Sequence, residues 1–176
     1  MIPRPTLLLT LLALAGCAPP GPVVSAPPGG VLLEDRFDGE NAGVPASLYH
    51  GFRKWRVSGG AVSLRGGDAA SPARGLYVSL DGSPDRDTRL TSRAVLDLAP
   101  GMYQLGFAVS GSGVEQTLSV GVARWRARVR VPAGAAFREE VHTIRVRHRE
   151  RGRLWFEVAP PGGPRLDDVV LRRIAE

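Results

Sequence analysis

Residues 118–131 read LSVGVARWRARVRV. Apolar side chains occupy every second position on both sides of the pair Ala123-Arg124, and the positions between them are polar or small. A period of two is typical of a β-strand with one buried face, because successive side chains point to opposite faces of a sheet. The stretch therefore predicts two neighbouring strands, residues 118–122 and 125–131.

The same alternation recurs along most of the chain, and segments rich in Gly, Pro, Asp and Ser separate its runs. No window keeps apolar residues at helical spacing for three turns. About ten short strands with one buried face indicate an all-β fold, an antiparallel β-sandwich of the jelly-roll type. A closed barrel is the alternative. Further alternating runs lie at residues 76–80, 103–109, 144–148, 154–158 and 169–171.

The N-terminal residues have the pattern of a secretory signal. Arg4 precedes an apolar run at residues 7–15, and small residues follow it. The run is too short to span a bilayer as a helix, which takes about 20 residues. Residues 14–17, Leu-Ala-Gly-Cys, resemble the lipobox of bacterial lipoproteins. In that family the cysteine is lipidated and the chain is cut before it, so the resemblance implies a signal peptide over 1–16 and a lipid anchor at Cys17.

Cys17 is the one cysteine in 176 residues. An odd cysteine in an exported protein needs an explanation, and lipidation supplies one. The alternative is an ordinary signal peptide with a chance cysteine. In the lipoprotein family an Asp after the cysteine often signals retention at the inner membrane, so Ala18 favours the outer membrane where the cell has one. We therefore expect an exported chain, anchored to the cell envelope.

A Pro- and Gly-rich segment follows the cysteine. Residues 18–30 read APPGPVVSAPPGG, which predicts an extended, semi-rigid spacer over residues 17–30. At about 3.1 Å per residue the spacer would reach roughly 40 Å. Residues 31–176 remain for one β-sandwich domain, which is a normal size for a single core.

Five segments of this domain, taken in order, resemble galactose-binding-like jelly rolls, a superfamily that includes many carbohydrate-binding modules. The resemblance covers most of residues 31–173 and implies the fold more than the ligand, because one fold serves many functions. It also implies a structural Ca²⁺ between the first and last strands, at positions that match Asp38 and Asp167 here. Calcium prefers six or more oxygen ligands, and the alternative is that Asp167 caps backbone amides. The five segments are residues 31–38, 51–64, 75–83, 98–107 and 166–171.

Positive charge is concentrated in one part of the sequence. The formal net charge is +6, and residues 124–153 hold ten Arg against three Glu, a net of +7. From Cys17 onward the remaining residues hold twelve basic against fourteen acidic side chains, a net of −2. By alternation the arginines of residues 124–130 share one face, and a second row is formed by Arg145, Arg147, Arg149 and, across a turn at 151–152, Arg153.

The alternation also predicts the directions in which two of the tryptophans point. Leu154 and Phe156 should point to the core, so Trp155 is predicted to point outward with Arg153, and Trp125 to point inward. An exposed indole beside arginines can stack on a sugar ring or on a guanidinium plane, and guanidinium groups bind carboxylates and phosphates. Arg145, Arg147, Arg149, Arg153 and Trp155 therefore form a candidate surface for a glycan or an anionic envelope polymer. The alternative is a solvated strand face in an arginine-rich protein, where charge also protects edge strands from aggregation.

Catalytic motifs are missing from the sequence. His50, His142 and His148 have no ligand spacing with one another, and His148 is predicted on an inward strand face. No nucleophile elbow, zinc-binding motif or phosphate loop occurs. We expect a non-catalytic, membrane-anchored module that binds a glycan, such as a polysaccharide, or an anionic envelope polymer. The alternatives are an assembly lipoprotein that binds another envelope protein and, less favoured, an unrecognised hydrolase. Nucleic acid is not an expected partner, because the chain is exported.

Overall fold

The structure is a computed structural model that describes residues 21–66, 75–82, 85–134, 136–160 and 162–175. The predicted signal peptide and Cys17 lie outside these residues. The described residues form an all-β fold with one short 3-10 segment, Glu40–Gly43. The strands are β1 Val23–Val24, β2 Val31–Asp35, β3 Trp55–Ser58, β4 Ala61–Gly66, β5 Leu76–Gly82, β6 Thr88–Ser92, β7 Val95–Leu98, β8 Gly101–Ser110, β9 Gln116–Val122, β10 Trp125–Val131, β11 Arg138–Val146, β12 Glu150–Gly152, β13 Trp155–Val158 and β14 Arg165–Arg173.

Two antiparallel sheets pack face to face, which confirms the predicted β-sandwich over the closed barrel. One is a five-stranded sheet in the order β10-β9-β13-β6-β3. The other is a six-stranded sheet in the order β11-β8-β14-β5-β4, with β2 beside β14. A small third sheet, β1-β7-β12, lies beside them. Within the described residues no helix is long and apolar enough to cross a membrane.

The stretch at residues 118–131 forms the hairpin β9–β10. Val122 lies opposite Trp125, so the turn consists of Ala123 and Arg124 alone. Ala123 has a positive φ of 50°, an uncommon conformation for a residue with a side chain. The apolar positions Leu118 and Val120 are fully buried, as the alternation predicts.

The core contains a buried tryptophan held by a carboxylate. Trp55 is fully buried and donates from Nε1 to Asp35 Oδ2 at 2.8 Å. The other oxygen of Asp35 accepts the backbone N–H of Phe37 at 3.0 Å. The indole packs 6.2 Å from the ring of Phe37 and 5.9 Å from that of Phe156, between ring centroids. These contacts join β2, β3 and β13 across the core.

The Pro- and Gly-rich segment differs from the predicted spacer. Val23 and Val24 pair in parallel with β7, and the carbonyl of Pro22 accepts the N–H of Val95 at 2.8 Å. Farther along, Gly30 accepts the N–H of Arg173 at 2.9 Å. Residues 21–30 therefore lie against the domain. Their backbone groups form hydrogen bonds with it, and Val23 and Val24 pair with β7. Prolines are tolerated there because β1 is an edge strand.

Residues 147–154 also differ from prediction. The chain leaves the six-stranded sheet after Val146, and residues 150–152 form β12 against β7 where a turn was expected. His148 lies in the connecting bend with an exposed side chain, so its predicted inward position is wrong. The chain bends again at residues 153–154 and enters β13 in the opposite sheet. Period-two reasoning fails at such bends, because the phase of the alternation restarts in each strand.

Candidate ligand-binding surfaces

Trp155 lies on the outer face of the five-stranded sheet, where alternation places it. Its neighbours Leu154 and Phe156 are fully buried, and its own side chain is half-buried. Trp125, predicted to point inward, is half-buried and packs against the core, with its ring centroid 5.4 Å from that of His142. The two tryptophans therefore lie on different sides of their sheet.

The arginines predicted to accompany Trp155 do not join it on this face. Arg145 belongs to β11 in the six-stranded sheet, and Arg147 follows that strand in the bend. Arg149 binds Asp97, and Arg153 donates to the backbone carbonyls of Ser92 and Arg93. The predicted row is wrong because, between Arg145 and Trp155, the chain leaves the six-stranded sheet, pairs briefly with β7 in the third sheet and then enters the five-stranded sheet.

A different set of arginines surrounds Trp155. Across the five-stranded sheet, one row of ladder partners runs Arg126, Gly121, Trp155, Thr91 and Arg56. The next row along the strands runs Arg128, Ser119, Glu157, Arg89 and Ser58. These two rows form a surface that we call the arginine face, and its four guanidinium groups outnumber its single carboxylate.

Guanidinium groups cover the indole of Trp155. The Cζ atom of Arg89 lies 4.2 Å from the ring centroid, and that of Arg126 lies 5.3 Å from it. The ring also lies over Gly121, where an added Cβ would come within 2.6 Å of Cζ2. Arg89 is held in place by Glu157, with 3.1 Å between Nε and Oε2. Trp155 is therefore not a bare platform for a sugar ring, and the chemistry that this face presents is that of guanidinium planes.

Sequence reasoning missed Arg89, Arg56 and Gly121. Arg89 and Arg56 come from β6 and β3, which precede the arginine-rich stretch by many residues. The signal that could have found them is alternation within β6, where the buried Thr88 and Leu90 place Arg89 on the outer face. Their position beside Trp155 follows only from the strand order.

Asp97 binds Arg149, one of the arginines that the sequence assigned to a binding surface, and it also binds Arg151. This buried carboxylate lies 2.8 Å from Arg149 Nε and 3.4 Å from Arg151 Nη2. The hydrogen bond from Arg149 lowers the pKa of Asp97 from 3.8 to about 2; burial opposes this shift and Arg151 adds to it. These arginines hold β7 and β12 together and are committed to that role.

We expect this cluster to make stability depend on pH in acid. The pKa of Asp97 is lower in the folded chain than its ordinary value of 3.8, so its contribution to stability is present above pH 3.8 and is lost as the pH falls towards about 2. Asp97→Asn should therefore flatten the decline in the free energy of unfolding over that window. Urea unfolding of both proteins at a series of pH values measures the effect. Parallel curves for the two proteins would contradict it.

The outer face of the six-stranded sheet carries an open groove of about 510 Å³. Its floor is Gly106 on β8, which lies opposite Val141 on β11 and Val170 on β14. An added Cβ on Gly106 would meet no heavy atom within 4 Å, so the missing side chain leaves real space. Val141 is 58% exposed beside it. The floor therefore offers an apolar strip that is open to solvent.

The charged side chains that line this groove balance one another. Its cations are Arg36 and Arg172, and its anions are Glu139 and Asp168. Arg36 Nε lies 4.0 Å from Asp168 Oδ1, and Arg172 Nε donates to Gln104 Oε1 at 2.9 Å. A short apolar strip among mostly polar lining side chains suits a polar ligand of low net charge.

The proposed calcium ligands each have a backbone partner. Asp38 Oδ1 accepts the N–H of Leu76 at 2.8 Å, and Asp167 Oδ1 accepts the N–H of Asp168 at 2.8 Å. No group of three or more His, Cys, Asp or Glu side chains that could hold a metal ion occurs among the described residues. The carboxylates here do not fit the ligand number that Ca²⁺ prefers. The amide contact of Asp167 is of the kind that the capping alternative predicts.

The histidines do not form a catalytic group. His50 and His148 are exposed, and His142 stacks on Phe107 with 5.9 Å between the ring centroids. Glu140 is the one carboxylate that the described residues place near His142, with 4.0 Å between Oε2 and Nε2. His142 thus fills the space where the edges of the two sheets meet.

Comparison with known proteins gives the fold a context. No family model matches the sequence, and no curated protein matches it. Solved structures do match. The CBM22-1 xylan-binding domain of Xyn10C from Paenibacillus barcinonensis has a TM-score of 0.60 and 13% identity, and the match covers 86% of this chain and 99% of that one. TmCBM61, solved with β-1,4-galactotriose, has a TM-score of 0.54 and 22% identity over 69% of this chain and 90% of that one.

A third match is part of a larger protein. The enzymatically active domain of tailspike protein 4 from bacteriophage CBA120 has a TM-score of 0.55 and 16% identity. The match covers 72% of this chain and 20% of the tailspike chain, so it represents a small part of that protein. At these identities the likeness shows the fold alone, an antiparallel β-sandwich.

Proposed function

We propose that this chain is an exported lipoprotein, anchored to the cell envelope through Cys17, whose β-sandwich binds a glycan without cleaving it. The observation that carries the glycan proposal is the groove over Gly106, in a domain with the fold of carbohydrate-binding modules. The apolar strip of Val141 and Val170 suits the C–H face of a sugar ring. The balanced donors and acceptors around it suit hydroxyl groups.

The charge of the groove favours a neutral glycan. Arg36 and Arg172 are offset by Glu139 and Asp168 among the groove residues. Soluble xylan and β-1,4-galactan are the first ligands to test, since the similar modules are described with xylan and with β-1,4-galactotriose. A glycan array extends the search to other polysaccharides.

The decisive variant fills the groove. Gly106→Leu should reduce glycan affinity by about tenfold or more, because its side chain would occupy the open floor, where an added Cβ meets no heavy atom within 4 Å. Affinity electrophoresis and titration calorimetry measure the loss. Equal thermal unfolding midpoints for the wild type and the variant would show that the fold is retained.

A matched variant tests the other face. Trp155→Ala removes the indole that the sequence favours as the glycan contact and leaves the groove untouched. We expect its glycan affinity to equal that of the wild type. Loss of binding in Trp155→Ala with retention in Gly106→Leu would move the site to the arginine face. Failure of the wild type to bind any glycan would contradict the proposal.

The anchor and the lack of catalysis have separate tests. Mass spectrometry of the purified membrane form should find a diacylglyceryl group on an N-terminal Cys17. High salt should extract the Cys17→Ser variant, but not the wild type, from membranes after cell lysis. No new reducing ends should appear when the protein is incubated with the glycan that it binds. Release of reducing ends would support the hydrolase alternative. Crosslinking in cells to one dominant protein, without competition by glycans, would support the assembly alternative.

A further inference from the structure

We infer that the arginine face is a docking surface for anionic phospholipid, which holds the sandwich against the membrane with the Gly106 groove turned away from it. The closeness of the arginine face to the membrane rests on the proposed lipidation of Cys17. The docking itself is a property of the described residues and can be tested without the lipid.

The described chain enters the domain next to the end of β6. The backbone of Gly21 packs so closely on the carbonyl oxygen of Arg93 that an added Cβ would overlap it. That Cβ would lie 3.4 Å from Nη2 of Arg153. Arg93 directly follows β6, and Thr91 of that strand belongs to the row that contains Trp155. Two residues along a strand span about 7 Å, so the entry point lies at the border of the arginine face.

Only a short length of chain separates Cys17 from the domain. Because residues 21–30 lie against the domain, the chain that separates Cys17 from the domain runs only to Gly21, and four residues span at most about 14 Å. This length is an upper limit, so it allows the arginine face to approach the headgroups to within about 8 Å, the distance over which charge acts at physiological salt. A lipid on Cys17 would therefore hold the arginine face where headgroup charge attracts it. The predicted reach of roughly 40 Å would have left the face free of the membrane.

The arginine face carries excess positive charge. In the part of the chain that the structure describes, Arg56 and Arg128 form no salt bridge or hydrogen bond, and Arg126 donates only to the carbonyl of Ala123, at 3.4 Å. Arg130, at the end of the same face, is paired with Glu115 at 2.7 Å. The two rows keep four arginines against Glu157, a net charge of +3 before any ligand binds. Headgroup phosphates match guanidinium forks in charge and geometry.

The arginine face and the Gly106 groove lie on opposite sides of the sandwich. The arginine face is the outer surface of one sheet, and the Gly106 groove lies on the outer surface of the other. The two surfaces of a sandwich point in opposite directions. Seating the arginine face on the bilayer therefore presents the groove to material beyond the membrane. The covered indole of Trp155 adds an amphipathic side chain of the kind that prefers the membrane interface.

The experiment uses the processed chain, residues 17–176, with Cys17→Ser so that no lipid contributes. Cosedimentation compares vesicles of phosphatidylcholine alone with vesicles that also contain phosphatidylglycerol. We expect binding only to the anionic vesicles and a loss of that binding as salt is raised. The variant Arg56→Gln/Arg126→Gln/Arg128→Gln should lower the partition coefficient by at least about tenfold.

The matched control removes the same charge from the opposite sheet. Arg36→Gln/Arg145→Gln/Arg172→Gln should keep its partition coefficient within about twofold of the unsubstituted value, since these side chains lie on the groove side. Equal losses in the two triple variants would overturn the proposal, because net charge and not the face would then control binding. Binding to a soluble polyuronate but not to vesicles would also overturn it, in favour of an acidic polymer. Neither result depends on lipidation or on the groove, so failure here is distinct from failure of the proposed function.

Discussion

Trp55→Ala is expected to cost about 3–5 kcal/mol of the free energy of unfolding, the range for removal of a large aromatic side chain from a core. Trp55 is fully buried, and its ring contacts Phe37, which follows β2, and Phe156 on β13. The substitution leaves a cavity between the sheets and removes the indole donor from Asp35. Because small domains have about 5–15 kcal/mol in total, a large part of the folded population should be lost on mild heating.

Urea unfolding followed by circular dichroism measures this loss through the transition midpoint and slope. Trp55→Phe separates the two contributions, because it keeps most of the ring volume and removes only the donor to Asp35. We expect it to cost about 1–3 kcal/mol, the range for a buried polar group that loses a partner. Trp155→Ala is the matched control on the outer face, where the ring is half-buried. A Trp55→Ala loss no larger than that of Trp155→Ala would contradict the placement of Trp55 in the core.

The sequence predicts the class of fold because alternation is local. Each strand carries its own pattern of buried and exposed positions, as in Leu118 and Val120 on β9 or Leu154 and Phe156 around β13. Those patterns depend only on the residues of one strand and on the core that covers one face. The outward position of Trp155 follows from the same local rule.

The neighbours of Trp155 could not be predicted in this way. Arg153 and Arg149 are near in sequence but are directed into the β6–β7 region by a bend, while Arg89 comes from a distant strand. Strand order is a property of the whole chain, and it sets which side chains meet across a sheet. The groove was missed for a related reason: Gly106 is one small residue in an alternating run, and its openness depends on Val141 and Val170 in other strands.

The entry of the chain into β14 leads to a second large effect. Gly163 is buried, and an added Cβ would overlap the carbonyl oxygen of Leu80 and lie 2.7 Å from its Cβ. The N–H of Leu80 donates to the carbonyl of Pro164 at 3.1 Å, so the two backbones cannot separate without losing that bond. The approach also places Gly82, whose φ is 79°, against Gly162. β5 and β14 therefore meet at a place where only glycine fits.

Gly163→Ala is accordingly expected to destabilise the domain by more than about 4 kcal/mol, a size reserved for overpacking against rigid neighbours and similar defects. Soluble yield, resistance to proteolysis and the thermal unfolding midpoint measure the effect. Gly106→Ala is the matched control, because it makes the same chemical change in a neighbouring strand where no atom lies within 4 Å of the new Cβ. It should leave stability unchanged or raise it by about 0.4–1 kcal/mol, since alanine restricts the unfolded chain more than glycine does. A folded Gly163→Ala protein as stable as Gly106→Ala would show that β14 does not meet β5 in this register, and the position of the groove, which depends on β14, would then have to be redrawn.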